Sequence, residues 1–378
     1  MSASAAPATP PVAPPAAEPP QPAGEQRVGR ILHGLVWSGL AALVAAIGIG
    51  VWGDWGRLAA AFDRFSWVAF PIALGLTLVN ASLRFLKWHY YVRRIGARPT
   101  LVDSALIFVA GFALSVTPGK TGEFLKAYLL HRRCGAPAWK AAPITLAERA
   151  TDGFAVVVLT GLGLTIATGS RLWVAGAVAA AIAGCAALAA LGAASRPGRR
   201  WQVPQWLGPL ATWADRLATR PAIARVMTRL RESGEGASAI LDPGSLVLAV
   251  ALGTVSWGAE SIALWNALAA FGLPRDVPLL GSALTALNAG TLVGAVSLLP
   301  GGAGAADATI AAVLVQHADK EVAAAATLLI RLCTVWFGAI LGVGALLALR
   351  RSLLPERETD AAGDAARPSA KCKVQSAK

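Results

Sequence analysis

Charge is scarce in this sequence. Only 15% of the 378 residues are Asp, Glu, Lys or Arg, whereas 55% are hydrophobic and the mean hydropathy is +0.56. A soluble domain carries roughly a quarter of its residues as charges, so that class is excluded. Cysteine is equally thin. Cys134, Cys185, Cys333 and Cys372 show neither an obvious pair nor metal-ligand spacing, which excludes a disulfide scaffold and a zinc site. The four histidines, His33, His89, His131 and His317, are scattered at segment ends, and no glycine loop follows a strand. No metal or other cofactor is expected, and no catalytic constellation is visible. Acid is the scarcer sign of charge: 21 acidic against 34 basic residues leave a formal net charge of +13. The basic residues lie in short connections beside apolar segments rather than along one soluble face. That is membrane topology, and it excludes nucleic acid as the partner.

Long apolar runs fill the remainder, and most reach or approach the ~20 residues that cross a bilayer as a helix. The fold class is therefore all-α and polytopic. Six full spans are predicted at roughly 31–52, 66–86, 143–168, 171–192, 245–271 and 321–349. Two further stretches, 101–130 and 278–317, read as broken helical hairpins that enter and leave on one side. Residues 1–28 hold the pairs Pro10-Pro11, Pro14-Pro15 and Pro19-Pro20 and are expected to be a disordered tail, as are residues 355–378. The membrane domain is residues 29–354, with a basic connection at 194–244. No cleavable signal peptide is expected, because the first apolar run is long enough to remain as an anchor.

Positive charge sets the orientation. Arg93, Arg94 and Arg98 follow the second span, Arg132, Arg133 and Lys140 follow the first hairpin, and a series from Arg196 to Arg231 fills the central connection. These regions belong in the cytoplasm, and with them both termini. One unpaired span, 171–192, separates the units 66–168 and 245–349. The two units must then run in opposite directions, the inverted-repeat plan of many transporters. Within the connection, Trp213–Arg220 and Val226–Arg231 read as an amphipathic basic helix on the anionic inner leaflet, split in two by Pro221.

A duplicated motif marks the two units. Ser115-x-x-Pro118-Gly119-x-x-Gly122 recurs as Ser297-x-x-Pro300-Gly301-x-x-Gly304, and Arg149 and Arg331 each follow their proline by 31 residues. Proline stops the incoming helix and glycine permits a tight turn, so each copy breaks a helix at membrane depth. A break there is costly unless it lines a site. The outgoing helix presents free N–H groups and a positive dipole end, and Lys120 adds a full charge, so an anionic group is favoured. Gly302 stands where Lys120 has its counterpart, which predicts a lopsided site with the stronger anion trap on the cytoplasmic side. Glu123 offsets the dipole in the first turn and pairs with Lys126 at i,i+3; Asp307 mirrors it in the second copy. Glu148 and Asp152 share a helix face, with Arg149 in reach of Asp152. Arg331 lies inside an apolar run, and Glu260, near the middle of its span, is its expected intramembrane partner. Arg84, Lys87 and Trp88 read as interfacial anchors at a span end.

Arg84-x-x-x-Trp88, Pro118-Gly-Lys-Thr-Gly-Glu123 with Lys126, Glu148-Arg149-x-x-Asp152, Leu299-Pro-Gly-Gly-x-Gly304 with Asp307, and Arg331 together resemble the lysylphosphatidylglycerol synthase transmembrane-region family of flippase-like membrane proteins. The resemblance covers roughly residues 65–350. It implies a bacterial inner-membrane protein that moves an anionic phospholipid, a polyprenyl-phosphate species or another lipid-linked intermediate between leaflets. Membrane lipids are the implied partners, with a second copy or cell-envelope biosynthesis enzymes as possible protein partners. Many relatives carry Arg at the positions of Lys120 and Lys126 and Glu at that of Asp307; both differences keep the charge but change head-group geometry. The chain ends soon after its last span, so the soluble aminoacyl-transferase domain of the larger relatives is not expected. Two other readings stand beside lipid translocation: an intramembrane enzyme acting on a lipid phosphate with Glu148 and Asp152 as acid and base, or an accessory subunit of a cell-envelope glycosyltransferase.

Overall fold

A computed structural model describes residues 43–114, 122–196, 221–353 and 373–374. Within them the fold is helical. The elements are α1 (Leu43–Gly53), α2 (Trp55–Asp63), α3 (Ala69–Arg94), α4 (Leu101–Ala110), α5 (Gly122–Cys134), α6 (Ala138–Thr168), α7 (Leu172–Ala194), α8 (Pro221–Ile240), α9 (Pro243–Ala270), α10 (Val277–Val296), α11 (Ala305–Leu314), α12 (Lys320–Arg331) and α13 (Phe337–Leu353). A 3₁₀ turn, Gly111–Leu114, extends α4, and a π-helical turn, Leu332–Trp336, joins α12 to α13. The only extended pairing among the described residues is a two-residue contact of Ala97–Arg98 with Lys373–Val374. The proposed N-terminal tail and the Trp213–Arg220 piece of the basic connection lie outside the described residues.

Local chemistry starts the helices where the sequence supplies a cap. The Thr100 side chain accepts from the Asp103 N–H at 3.1 Å, Asp242 from Ser245 at 3.1 Å and Asp276 from Leu279 at 2.8 Å, each satisfying an otherwise orphaned donor. Pro243 and Pro278 occupy the first turns of their helices, where no intrahelical N–H is lost. Pro221 likewise opens α8, so the basic connection does contain a helix that begins at that proline.

Among the described residues, six helices are long and apolar enough to cross a membrane: α3, α6, α7, α9, α10 and the continuous run Lys320–Leu349. The set differs from the expectation in one member. Of the proposed span 31–52 only Leu43–Gly53 is described, and α10, expected as the first limb of a broken hairpin, is a continuous helix of 20 residues, about 30 Å long. The limb after it, α11, has only 10 residues. In the first interrupted stretch the described helices are short, Leu101–Leu114 and the 13 residues of α5, and the expected break between them lies outside the described residues.

α3 and α9 pack antiparallel along their length. Asn80 donates to the Ser256 carbonyl at 3.0 Å, Tyr90 meets Ser245 at 2.9 Å, and Arg94 binds Asp242 at 2.5 Å, so the pairing steps down one helix as it climbs the other. α10 lies along α6, and α4 with its 3₁₀ turn lies along α13. The α6–α10 crossing is a backbone contact: a Cβ added at Gly163 would sit 2.7 Å from the Gly281 carbonyl oxygen. The two largest of four apolar clusters among the described residues lie at opposite ends of the bundle. One gathers Trp88, Tyr91, Phe108, Leu130, Ile144 and Leu246 at the end bearing Arg93 and Arg94; the other gathers Leu264, Leu268, Leu287, Ile310 and Ile330 toward the opposite end. α7 contributes little to either, with 6% of its apolar window buried, as expected of a helix that faces lipid.

Candidate functional site

Between those two clusters lies a cavity of about 170 Å³, into which both halves of the chain project charge. α3 supplies Arg84, α6 supplies Arg149, α9 supplies Trp257 and Glu260, and the end of α12 supplies Arg331. The second break closes one side with Gly301 and Gly302, while Phe112, from the turn ahead of the first break, closes another. Three guanidinium groups in so small a space form a concentration of positive charge that the bilayer core tolerates only when it faces protein, water or an anion. Trp257 adds a donor: its indole Nε1 is buried and has no hydrogen-bond partner among the described residues. Arg84 lies over the Trp257 ring at 5.5 Å and the Phe112 ring at 5.7 Å, contacts that hold its guanidinium in place without neutralising it.

Ion pairs in the first unit brace the wall behind these residues. Asp152 receives Lys87 in a short contact and Arg84 at 3.7 Å, and Lys87 also donates to Thr151 at 3.4 Å. One turn earlier, Glu148 binds Lys126 at 2.6 Å, with the ammonium 4.6 Å from the Trp88 ring centre. All four of these paired residues, Lys87, Asp152, Lys126 and Glu148, are buried, and the spacing of Glu148 and Asp152 at i,i+4 puts both carboxylates on one face of α6. The pairs tie α6 to α3 and to the helix that follows the first break. Removing either member of such a pair leaves an uncompensated charge away from water, which costs several kcal/mol.

The second unit uses its arginine differently. Arg331 donates to the Gly301 carbonyl at 2.7 Å and pairs with Asp307 at 2.7 Å, and Asp307 in turn accepts from the Gly304 N–H at 2.8 Å. The loop so fixed has positive φ at Leu298 (55°), Gly301 (59°), Gly302 (70°) and Gly304 (81°). Three of these four are glycine because that region is open to it at no steric cost. Arg331 also stands where the α-helix passes into the π turn, which carries Thr334 and Val335 to the cavity wall. π turns of this kind are frequent at functional sites.

Several sequence expectations are corrected by these contacts. Glu260 does not pair with Arg331, whose carboxylate partner is Asp307; Glu260 lines the cavity, 6% exposed, with no ion pair within 4.0 Å among the described residues. Lys126 pairs with Glu148, 22 residues away, because α5 folds back onto α6; the side chain of Glu123, its expected local partner, lies outside the described ones. Asp152 is held by α3 rather than by its neighbour Arg149 alone. Lys87 and Trp88 are not interfacial anchors: each is 1% exposed, since α3 continues to Arg94 and carries them into the bundle. Of the first motif, Pro118, Gly119 and Lys120 lie outside the described residues, and Gly122 and Glu123 open α5. Pro300 begins the 3₁₀ turn of the second break. Asn80, Lys87 and Trp257 were not singled out as site residues. The signal for Asn80 was available, as an amide in mid-span; Trp257 looks like any apolar residue of its helix.

Long apolar helices packed around a buried, arginine-rich cavity define a multi-pass membrane protein with a polar site inside its bundle. Comparison with known families sharpens that class. The family described as the lysylphosphatidylglycerol synthase TM region matches residues 39–342, most of the chain, and the protein belongs to it. It is thus a membrane protein of a family involved in lipid handling. A comparison with curated proteins finds no match.

Proposed function

We propose that this protein is a lipid translocator that carries a phosphate head group between leaflets of the bacterial inner membrane. The observation that carries the reading is the convergence of Arg84, Arg149 and Arg331, drawn from both units, on one cavity. At about 170 Å³ the cavity is below the ~300–1,000 Å³ typical of sites that enclose a whole small molecule, which suits a head group with its tails left outside. Leu78 on the cavity wall is exposed, so an apolar edge leads sideways toward the acyl region for those tails.

An inverted repeat supplies the means of alternating access, and three relations support it. Helix boundaries recur at the motif's spacing of 182 residues: α6 begins at Ala138 and α12 at Lys320. Packing partners exchange, with α10 on α6 and α4 on α13. Three residues along from the Asn80–Ser256 contact lie Thr77 and Ala259, themselves 182 apart, so repeat mates face each other where α3 and α9 cross. A two-fold axis in the membrane plane requires such a crossing. The positive-inside pattern favours cytoplasmic termini.

The enzyme reading is weakened by the same geometry. Glu148 and Asp152, its acid and base, are engaged in buried ion pairs, and neither is among the residues that line the cavity. Purified protein in liposomes containing a fluorescent anionic phospholipid is expected to exchange it between leaflets, and Arg149→Ala and Arg331→Ala are expected to abolish the exchange. A chemically altered lipid without exchange establishes the enzyme instead. Activity that appears only with an added glycosyltransferase establishes the accessory role.

A further inference from the structure

Glu260 is the one acidic side chain that lines the cavity among the described residues, and no residue there pairs with it. The charged groups acting on it come from three sides: Arg84 on α3, Asp152 beside Arg149 on α6, and Arg331 on α12. No histidine lines the cavity, and α10, which also packs on α9, presents no charged side chain to it. Around Glu260 the described residues place four cations, Arg84, Lys87, Arg149 and Arg331, and two other carboxylates, Asp152 and Asp307. With the cavity empty, an ionised Glu260 shares the cavity wall with the guanidinium groups of Arg84, Arg149 and Arg331. A phosphate entering the same space is a like charge beside that carboxylate, and like charges in a buried site favour protonation of one.

We propose that Glu260 is a proton site linked to head-group charge: a lipid phosphate competes with the Glu260 carboxylate for the same guanidinium groups, and a dianionic phosphate monoester is carried with one proton on Glu260. The proton is taken from water and bound at a carboxyl oxygen, and no covalent bond of the lipid changes. The inference rests on the cavity being the phosphate site. It adds that the coupling ion is a proton and that the number carried depends on the charge of the head group.

Calorimetric titration of the full-length protein in detergent, run in buffers of different ionisation enthalpy, counts the protons bound with each ligand. The probes are dioctanoyl phosphatidic acid, a monoester that is dianionic at about pH 8.5, and dioctanoyl phosphatidylglycerol, a diester whose phosphate keeps one charge throughout. Wild type is expected to take up about one proton with the monoester and fewer with the diester. Glu260→Gln, which keeps the shape of the side chain, is expected to bind both probes with no uptake, and Glu260→Asp to restore it. Affinity of the wild type for the diester should then fall with rising pH, by at most about tenfold per unit if one proton is linked, and the slope should vanish in Glu260→Gln. Equal uptake in Glu260→Gln, or none in wild type with the monoester, overturns the proton site while leaving the phosphate site standing. Failure of both probes to bind wild type, or binding that persists undiminished in Arg149→Ala, overturns the phosphate site itself.

Discussion

Arg331 donates a 2.7 Å hydrogen bond to the backbone carbonyl of Gly301, thirty residues earlier, across the second helix break. The guanidinium thereby gives this carbonyl, turned out of any helix by the left-handed conformation of Gly301, a donor in place of a helical N–H. The same side chain neutralises Asp307, which caps the outgoing helix. One residue thus satisfies both a broken backbone and a buried carboxylate.

Arg331→Ala should therefore destabilise the fold as well as the site. Breaking a buried ion pair from one side costs about 3–5 kcal/mol, and the low end applies because Arg331 keeps some access to the cavity. Arg331→Lys, which keeps the charge but loses the planar fork, should fall between. Thermal unfolding in detergent reads both. An Arg331→Ala protein as stable as wild type would show that the loop holds its shape without the arginine.

Lys126 and Glu148 should behave as a unit. Lys126→Met leaves a buried carboxylate and Glu148→Gln a buried ammonium, so each single change should be clearly destabilising. Combined, the two should cost less than the sum, with a coupling energy of about 1–3 kcal/mol. Simple additivity in the same unfolding assay would contradict the 2.6 Å pair.

Close approach of backbones makes Gly163 a sensitive position. Its added Cβ would lie 2.7 Å from the Gly281 carbonyl oxygen and 2.8 Å from the Thr285 amide nitrogen, so Gly163→Ala is expected to cost about 1–3 kcal/mol. Gly153, ten residues earlier on the same helix, has nothing within 4 Å of that position. Gly153→Ala should be neutral or stabilising by up to ~1 kcal/mol through helix propensity. Equal effects at the two sites would mean that the α6–α10 contact is looser than described.

Asp242 predicts an acid-side pH dependence. Partial burial works against its ionised form, but hydrogen bonds from the Ser245 side chain and backbone, with Arg94 nearby, outweigh it and hold the carboxyl below its ordinary value. A group whose folded pKa is depressed adds stability above its unfolded value, near 3.9, and loses it as pH falls through the folded value. Asp242→Asn, which still offers a cap oxygen, should be less stable than wild type at neutral pH. The difference should close below about pH 4. A gap that stays constant into that acid range would assign Asp242 a purely steric role.

Much of the scaffold was legible in the sequence because bilayer crossing demands length and apolarity, both of which are local properties. The limits of α7 and α9 fall within two residues of the expected ones. Residue types also pointed to Arg84, Arg149, Glu260 and Arg331 as relevant. Their pairings were not legible. Lys126 takes Glu148, 22 residues further along the chain, and Arg331 takes Asp307 and not the mid-span Glu260. Such choices follow from how α5 and α11 fold back after each break, and a break sets direction through backbone angles that no side-chain pattern records. The end of α10 was legible for the opposite reason: the helix runs unbroken to Val296 and stops just ahead of Pro300, where the motif marks the interruption.

The left-handed stretch from Leu298 to Gly304 has one more consequence, for anyone who searches this region by substitution. Its polar surface is main chain, and three of its four left-handed residues have no side chain to delete. Truncation scanning will pass over these amides as if they were inert, while any larger residue will register as a fold defect. Evidence on whether they touch a lipid must come from the lipid's side, through head-group analogues that differ by one acceptor, or from the spectroscopic signature of the Gly302 and Gly304 amides themselves.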